Sequence, residues 1–102
     1  NVLQIDLSNP LCHIETVKAD DALRGYESVS SMSERRNWNG HFVTGAINAD
    51  FFGDGGVPVN AQICDGQLLK TPIEYSTIGF DIYDRPQISR ISFSGVLIAR
   101  GA

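Results

Sequence analysis

Gln62-Ile63-Cys64-Asp65-Gly66-Gln67-Leu68-Leu69 decides the fold class of this chain. Two short runs with apolar residues flank Asp-Gly, a pair that tolerates positive φ at both centres of a type I′ turn. Residues 61–70 are therefore expected to form a tight antiparallel hairpin. The same logic extends toward the C-terminus. Thr71-Pro72 ends the hairpin, and residues 75–82 alternate, with Ile78, Phe80 and Ile82 expected to point inward. Tyr83-Asp84-Arg85-Pro86 turns the chain, residues 88–93 return as the next strand, and Val96-Leu97-Ile98-Ala99 is expected to be the last strand, ahead of Arg100-Gly101-Ala102.

Upstream, residues 42–49 form an almost uninterrupted apolar run that predicts a strand in the middle of a sheet. Residues 28–38 are the one convincing helix. Ser28 stands at its N-cap, Val29 and Met32 share a face, and Asn39-Gly40 supplies a left-handed stop. Met32 and Trp38 are expected in the core. Residues 2–7 alternate cleanly as a half-buried strand. After the turn Ser8-Asn9-Pro10, residues 11–18 predict a second strand antiparallel to it, because the connection is so short. Six or seven strands with one principal helix make an α+β fold dominated by antiparallel sheet.

At 102 residues the chain amounts to one small domain at most, able to bury about 60–65% of its unfolded surface. The net charge of −4 and the lack of a Lys/Arg patch argue against nucleic acid and anionic membranes as partners. Arg35-Arg36 is the sole adjacent basic pair and reads as a solvated helix face. His41, just before the strand at 42–49, reads as a neutral surface histidine in preference to a catalytic base. No apolar run approaches the ~20 residues of a membrane-spanning helix. Cys12 and Cys64 are too few for a disulfide scaffold or a zinc site. Paired, they would close a long loop with a contribution of about 4 kcal/mol; two free buried thiols are the other reading.

Chemistry concentrates where the strand at 42–49 meets a glycine-rich bend, in Ala46-Ile47-Asn48-Ala49-Asp50-Phe51-Phe52 followed by Gly55-Gly56-Val57-Pro58-Val59-Asn60. In extended backbone Asn48 and Asp50 share one face, opposite Ile47, Ala49 and Phe51. Polar groups at a strand end beside a loop suit a site, and they equally suit simple satisfaction of turn backbone. Asp50 with Asp54 has the flavour of a calcium loop, yet the spacing fits none. No metal or other cofactor is expected. Asp20-Asp21 likewise lacks accompanying ligands and reads as loop.

The residues from Ala46 to Phe52, Gly56-Val57-Pro58, Asp65-Gly66-Gln67-Leu68-Leu69, Ile78-Gly79-Phe80-Asp81 and Arg85-Pro86-Gln87-Ile88 together resemble the phosphodiester glycosidase family. The opening also fits, through Ile5-Asp6-Leu7-Ser8-Asn9-Pro10, Ala19-Asp20-Asp21, Glu27 and Val29-Ser30-Ser31-Met32. Ala49 and Asn60 depart from the pattern, standing where many relatives carry glycine. The resemblance implies hydrolysis of a sugar-1-phosphodiester in a glycoconjugate or polysaccharide, releasing the sugar and a phosphomonoester. It implies Asp50 as the catalytic carboxylate, and Asn48, Gly55, Gly56 and Asn60 around the substrate. Bacterial members look secreted or envelope-associated, so an extracytoplasmic location is expected.

The family domain is longer than this chain and contains a second glycine-rich, acidic segment with no counterpart here. Residues 1–102 are accordingly expected to be the N-terminal portion of such a domain and to be inactive alone. Glycoside cleavage ordinarily takes two carboxylates, so the partner of Asp50 is expected in the remaining C-terminal half. The alternative from another class is a noncatalytic carbohydrate-binding or polysaccharide-assembly module using Tyr26, Trp38, Tyr75 or Tyr83. A third reading has the chain pairing with itself through an open strand edge.

Overall fold

Asp65 and Gly66 take φ of 49° and 75° in a computed structural model that describes residues 1–101. That is the turn their sequence predicts, and it joins β1 (Gln62–Cys64) to β2 (Gln67–Lys70). The strands pair antiparallel, Cys64 with Gln67 and Ile63 with Leu68, before a bulge shifts Gln62 opposite Lys70. A second antiparallel hairpin pairs β3 (Ser76–Phe80) with β4 (Pro86–Arg90). Its loop is organised by Asp81, whose carboxylate accepts from the amides of Tyr83 (2.8 Å) and Arg85 (3.0 Å) and pairs with Arg85 Nε. Pro86 opens β4, a position where a missing N–H is tolerated.

Helix α1 (Val29–Arg35) completes an α+β fold whose sheets are antiparallel. Ser28 caps it as expected, its Oγ accepting from the Ser31 amide at 3.1 Å. The helix stops short of Trp38, because the chain closes a tight turn immediately afterwards: Trp38 and His41 exchange both backbone hydrogen bonds at 2.9 Å. Asn39-Gly40 therefore serves that turn and does not cap the helix. Trp38 leaves the expected core and stacks on His41, with ring centroids 4.0 Å apart.

Other expectations are overturned. Among the described residues, none of the segments 2–7, 11–18, 42–49 and 96–99 joins a ladder; only four short strands form. An apolar run becomes a strand only where a partner takes its N–H and C=O groups. Here the 42–49 segment meets side chains instead, with Leu3 Cδ1 lying 3.0 Å from where a Cβ on Gly45 would stand. Ile78 and Ile82 point outward, and the cross-strand pair Ile78–Ile88 is 57% and 72% exposed. Thr77, the neighbour of Ile78 and so on the opposite face of the strand, accepts from Asn60 Nδ2 at 3.1 Å. Among the described residues Ala19 is the one buried hydrophobic side chain, and Lys18, Gly56, Pro58 and Asn60 are buried as well. Cys12 and Cys64 are half-buried free thiols. No helix among the described residues is long and apolar enough to cross a membrane.

Candidate functional site

The loop that follows Asp50 is a small antiparallel finger. Val59 N–H donates to Phe51 O at 3.1 Å, Gly53 N–H to Val57 O at 2.9 Å, and Phe52 bridges to Pro58. A 3₁₀ turn over Asp54–Gly56 closes the tip. The finger lies on residues 24–26: Gly25 N–H donates to Gly55 O at 2.8 Å, and the Tyr26 ring meets Phe52 edge-on at 5.5 Å. Gly56 is buried with φ of +74°, and a Cβ there would overlap the backbone carbonyl of Gly25. Its own amide is taken by Gly53 O at 3.1 Å. The glycine pair thus makes close backbone contact with a neighbouring segment.

Asp50 closes the neck of the finger. Oδ1 accepts from the Phe51 amide at 2.8 Å and Oδ2 from the Asn60 amide at 3.0 Å, so each carboxylate oxygen is fixed by one backbone N–H. The residue is exposed, and each oxygen keeps acceptor capacity beyond its one backbone partner. Asn60 is 6% exposed and anchors the neck to the second hairpin. Its Oδ1 accepts from Ile73 N–H at 3.0 Å while its Nδ2 donates to Thr77. Asn48 is exposed two residues before Asp50, and Gly55 is half-buried at the tip. The structure therefore brings Asp50 and Asn60 into direct contact at the neck, with Asn48 exposed two residues before and the glycines away at the tip of the finger, docked on Gly25. Among the described residues no group of three His, Cys, Asp or Glu side chains converges as a metal site.

A cleft of about 280 Å³ opens elsewhere, lined by Thr16, Lys18, Asp21, Arg36, Cys64 and Asp65 among others, and does not reach Asp50. Asp50 stands on open surface.

Two charge clusters escaped the sequence reading because their members are scattered along the chain. Glu27, with its side chain nearly buried, receives Arg35 Nη2 at 2.9 Å, the Asp20 amide at 3.0 Å and Ser31 Oγ at 3.0 Å. The Arg35 guanidinium, followed by these other donors, pulls its carboxyl down to about 2. Arg35 also pairs with Asp21 and donates to Lys18 O. Glu15 joins Arg36 Nη2 at 2.8 Å and His41 Nε2 at 3.0 Å. Both arginines are therefore paired, where a solvated face was expected, and His41 is half-buried and not a free surface group. A signal was available in the acid–base spacing Glu27…Arg35, but nothing local pointed to Glu15.

No protein-family model, curated protein or solved structure matches the chain.

Proposed function

We propose that this chain supplies the Asp50-bearing part of a site that hydrolyses sugar-1-phosphodiesters, within a longer polypeptide whose remaining part completes it. The observation that carries the reading is the fixed, exposed carboxylate of Asp50, each of whose oxygens is held by a backbone amide at the neck of the finger. A carboxylate held in this way can stabilise positive charge at an anomeric carbon or activate a water molecule. Breaking the bond from that carbon to the phosphate oxygen then releases a phosphomonoester, an adequate leaving group needing little acid assistance. Asn60 positions Asp50 through its amide; its side chain is committed to Ile73 and Thr77. Asn48, exposed two residues earlier, would meet a sugar hydroxyl. The open surface around Asp50 supports the need for a second wall and a second carboxylate, and hence for the C-terminal half. The ordered sequence resemblance supports the substrate class and an extracytoplasmic setting.

The alternative is a noncatalytic carbohydrate-binding or polysaccharide-assembly module. Exposed aromatic rings beside Asp50, Tyr26, Phe51 and Phe52, favour it as a stacking surface. One experiment separates the two: sugar release from a sugar-1-phosphodiester by the longer protein and by its Asp50→Asn variant, with calorimetric titration of the same ligand. The expected result is turnover that falls by about 10²-fold or more in the variant, with binding retained. Equal turnover in both proteins removes Asp50 from the mechanism, and binding without turnover in either assigns the module.

A further inference from the structure

The two nitrogens of His41 face acceptors only. Nδ1 lies 2.6 Å from the carbonyl oxygen of Arg36, and Nε2 lies 3.0 Å from Glu15 Oε1. A neutral imidazole carries one N–H, so one of these contacts would set lone pair against lone pair. Only the imidazolium donates to both. Protonating Glu15 instead is disfavoured, because Arg36 Nη2 donates to its other oxygen at 2.8 Å.

We propose that Glu15, Arg36 and His41 form a pH-sensitive clasp, closed when His41 is protonated, that ties the 12–18 segment to the end of α1 and the turn at 38–41. The clasp joins parts of the chain that no ladder connects. Glu15 lies 21 and 26 residues from its two partners, and the 12–18 segment is otherwise held by side-chain bonds such as Thr16 Oγ1 to Ile63 O. The Trp38 ring stacks on the imidazole and has the Arg36 guanidinium 5.4 Å from its centroid, covering one face of the site. The charged groups acting on the clasp are Glu15 and Arg36 in direct contact with His41, and Asp21 and Asp65, which add negative potential at Arg36.

The hydrogen bond to Glu15, then the one to Arg36 O, raises the His41 pKa above its ordinary 6.5. A raised pKa means that the protonated imidazole favours the folded state. Its contribution is fully present below about pH 6.5 and is lost as pH rises through the folded value. Glu15 acts in the opposite sense. Desolvation pushes its carboxyl up, but the opposing bonds from Arg36 and His41 together win and hold it below 4.5. Its contribution is lost as pH falls through that lowered value, so the clasp is tightest in mildly acidic solution.

The test is an NMR titration of the chain, following the imidazole resonances of His41 and the exchange protection of backbone amides in residues 12–18. His41 is expected to titrate above 6.5, with both ring nitrogens protonated on the acid side, and Glu15→Gln is expected to lower its midpoint. Protection of residues 12–18, corrected for intrinsic exchange, is expected to fall as pH passes the same midpoint. Titration of His41 at or below 6.5 overturns the proposal. So does protection of residues 12–18 that ignores the His41 midpoint, a readout on the unsubstituted chain that holds even if Glu15→Gln does not fold.

Discussion

Gly56 and Asn60 show how the residues around Asp50 were legible in type but not in role. Periodicity marks the 46–60 stretch as polar groups where a strand meets a glycine-rich bend; the structure keeps the bend, while residues 42–49 join no ladder. The pattern does not reveal that Gly56 touches Gly25, or that Asn60 spans to Ile73 and Thr77, because both contacts depend on segments distant in sequence. The contact at Gly56 makes a direct prediction. A methyl group there would meet the Gly25 backbone, which cannot swing aside as a side-chain tip can, and the φ of +74° disfavours any L-residue. Gly56→Ala should cost roughly 2 kcal/mol or more of stability and should disturb the finger. At Gly53, φ is −99° and nothing lies within 4 Å of the added atom, so Gly53→Ala should stay within about 0.5 kcal/mol. Urea unfolding of the two variants checks the contrast; equal costs would mean that the finger does not dock on residues 24–26.

At the scale of elements, the hairpins and the helix cap were legible because their signals are local. Asp65-Gly66 sets its own backbone, and Ser28 caps with its own side chain. The segments 2–7 and 42–49 carry equally clear hydrophobic patterns, yet a ladder needs a partner that no local pattern supplies. Helix α1 has the same dependence in milder form. Only Val29–Arg35 is helical, too short to be stable in isolation. It is braced from outside by Glu27, which receives Arg35 and Ser31, residues of the helix, and the Asp20 amide before it. The Glu27 pKa, lowered from 4.5 to about 2, gives the sign. The ionised carboxylate favours the folded helix, so its contribution is present above pH 4.5 and disappears as pH falls toward 2. Acid unfolding followed by circular dichroism should show loss of α1 over that interval, and Glu27→Gln should remove the dependence while lowering stability at neutral pH. An unchanged acid profile in the variant would show that another carboxylate governs the helix.

For the whole molecule the decisive quantities are size and burial. The radius of gyration is 15.5 Å, against about 13 Å for a compact domain of this length. Large apolar side chains from Val2 to Ile98 remain exposed, Phe51 to 85%, while the core among the described residues reduces to Ala19. Burial of apolar area drives cooperative folding and sets both the denaturant slope and the heat capacity of unfolding. A chain that buries so little should unfold gradually, with a urea m-value below about 1 kcal/mol/M, under the usual range for small proteins. The same faces, including the outward Ile78–Ile88 pair, exceed what a solitary soluble domain ordinarily leaves uncovered. The net charge of −4 offers modest repulsion, and salt shortens its reach to about 10 Å at 0.1 M. Self-association should therefore rise with protein concentration and with salt, as measured by sedimentation equilibrium across both variables. A sharp transition with an m-value in the usual range, from a species monomeric at all concentrations and salt levels, would require the chain to pack more tightly in solution than it does here.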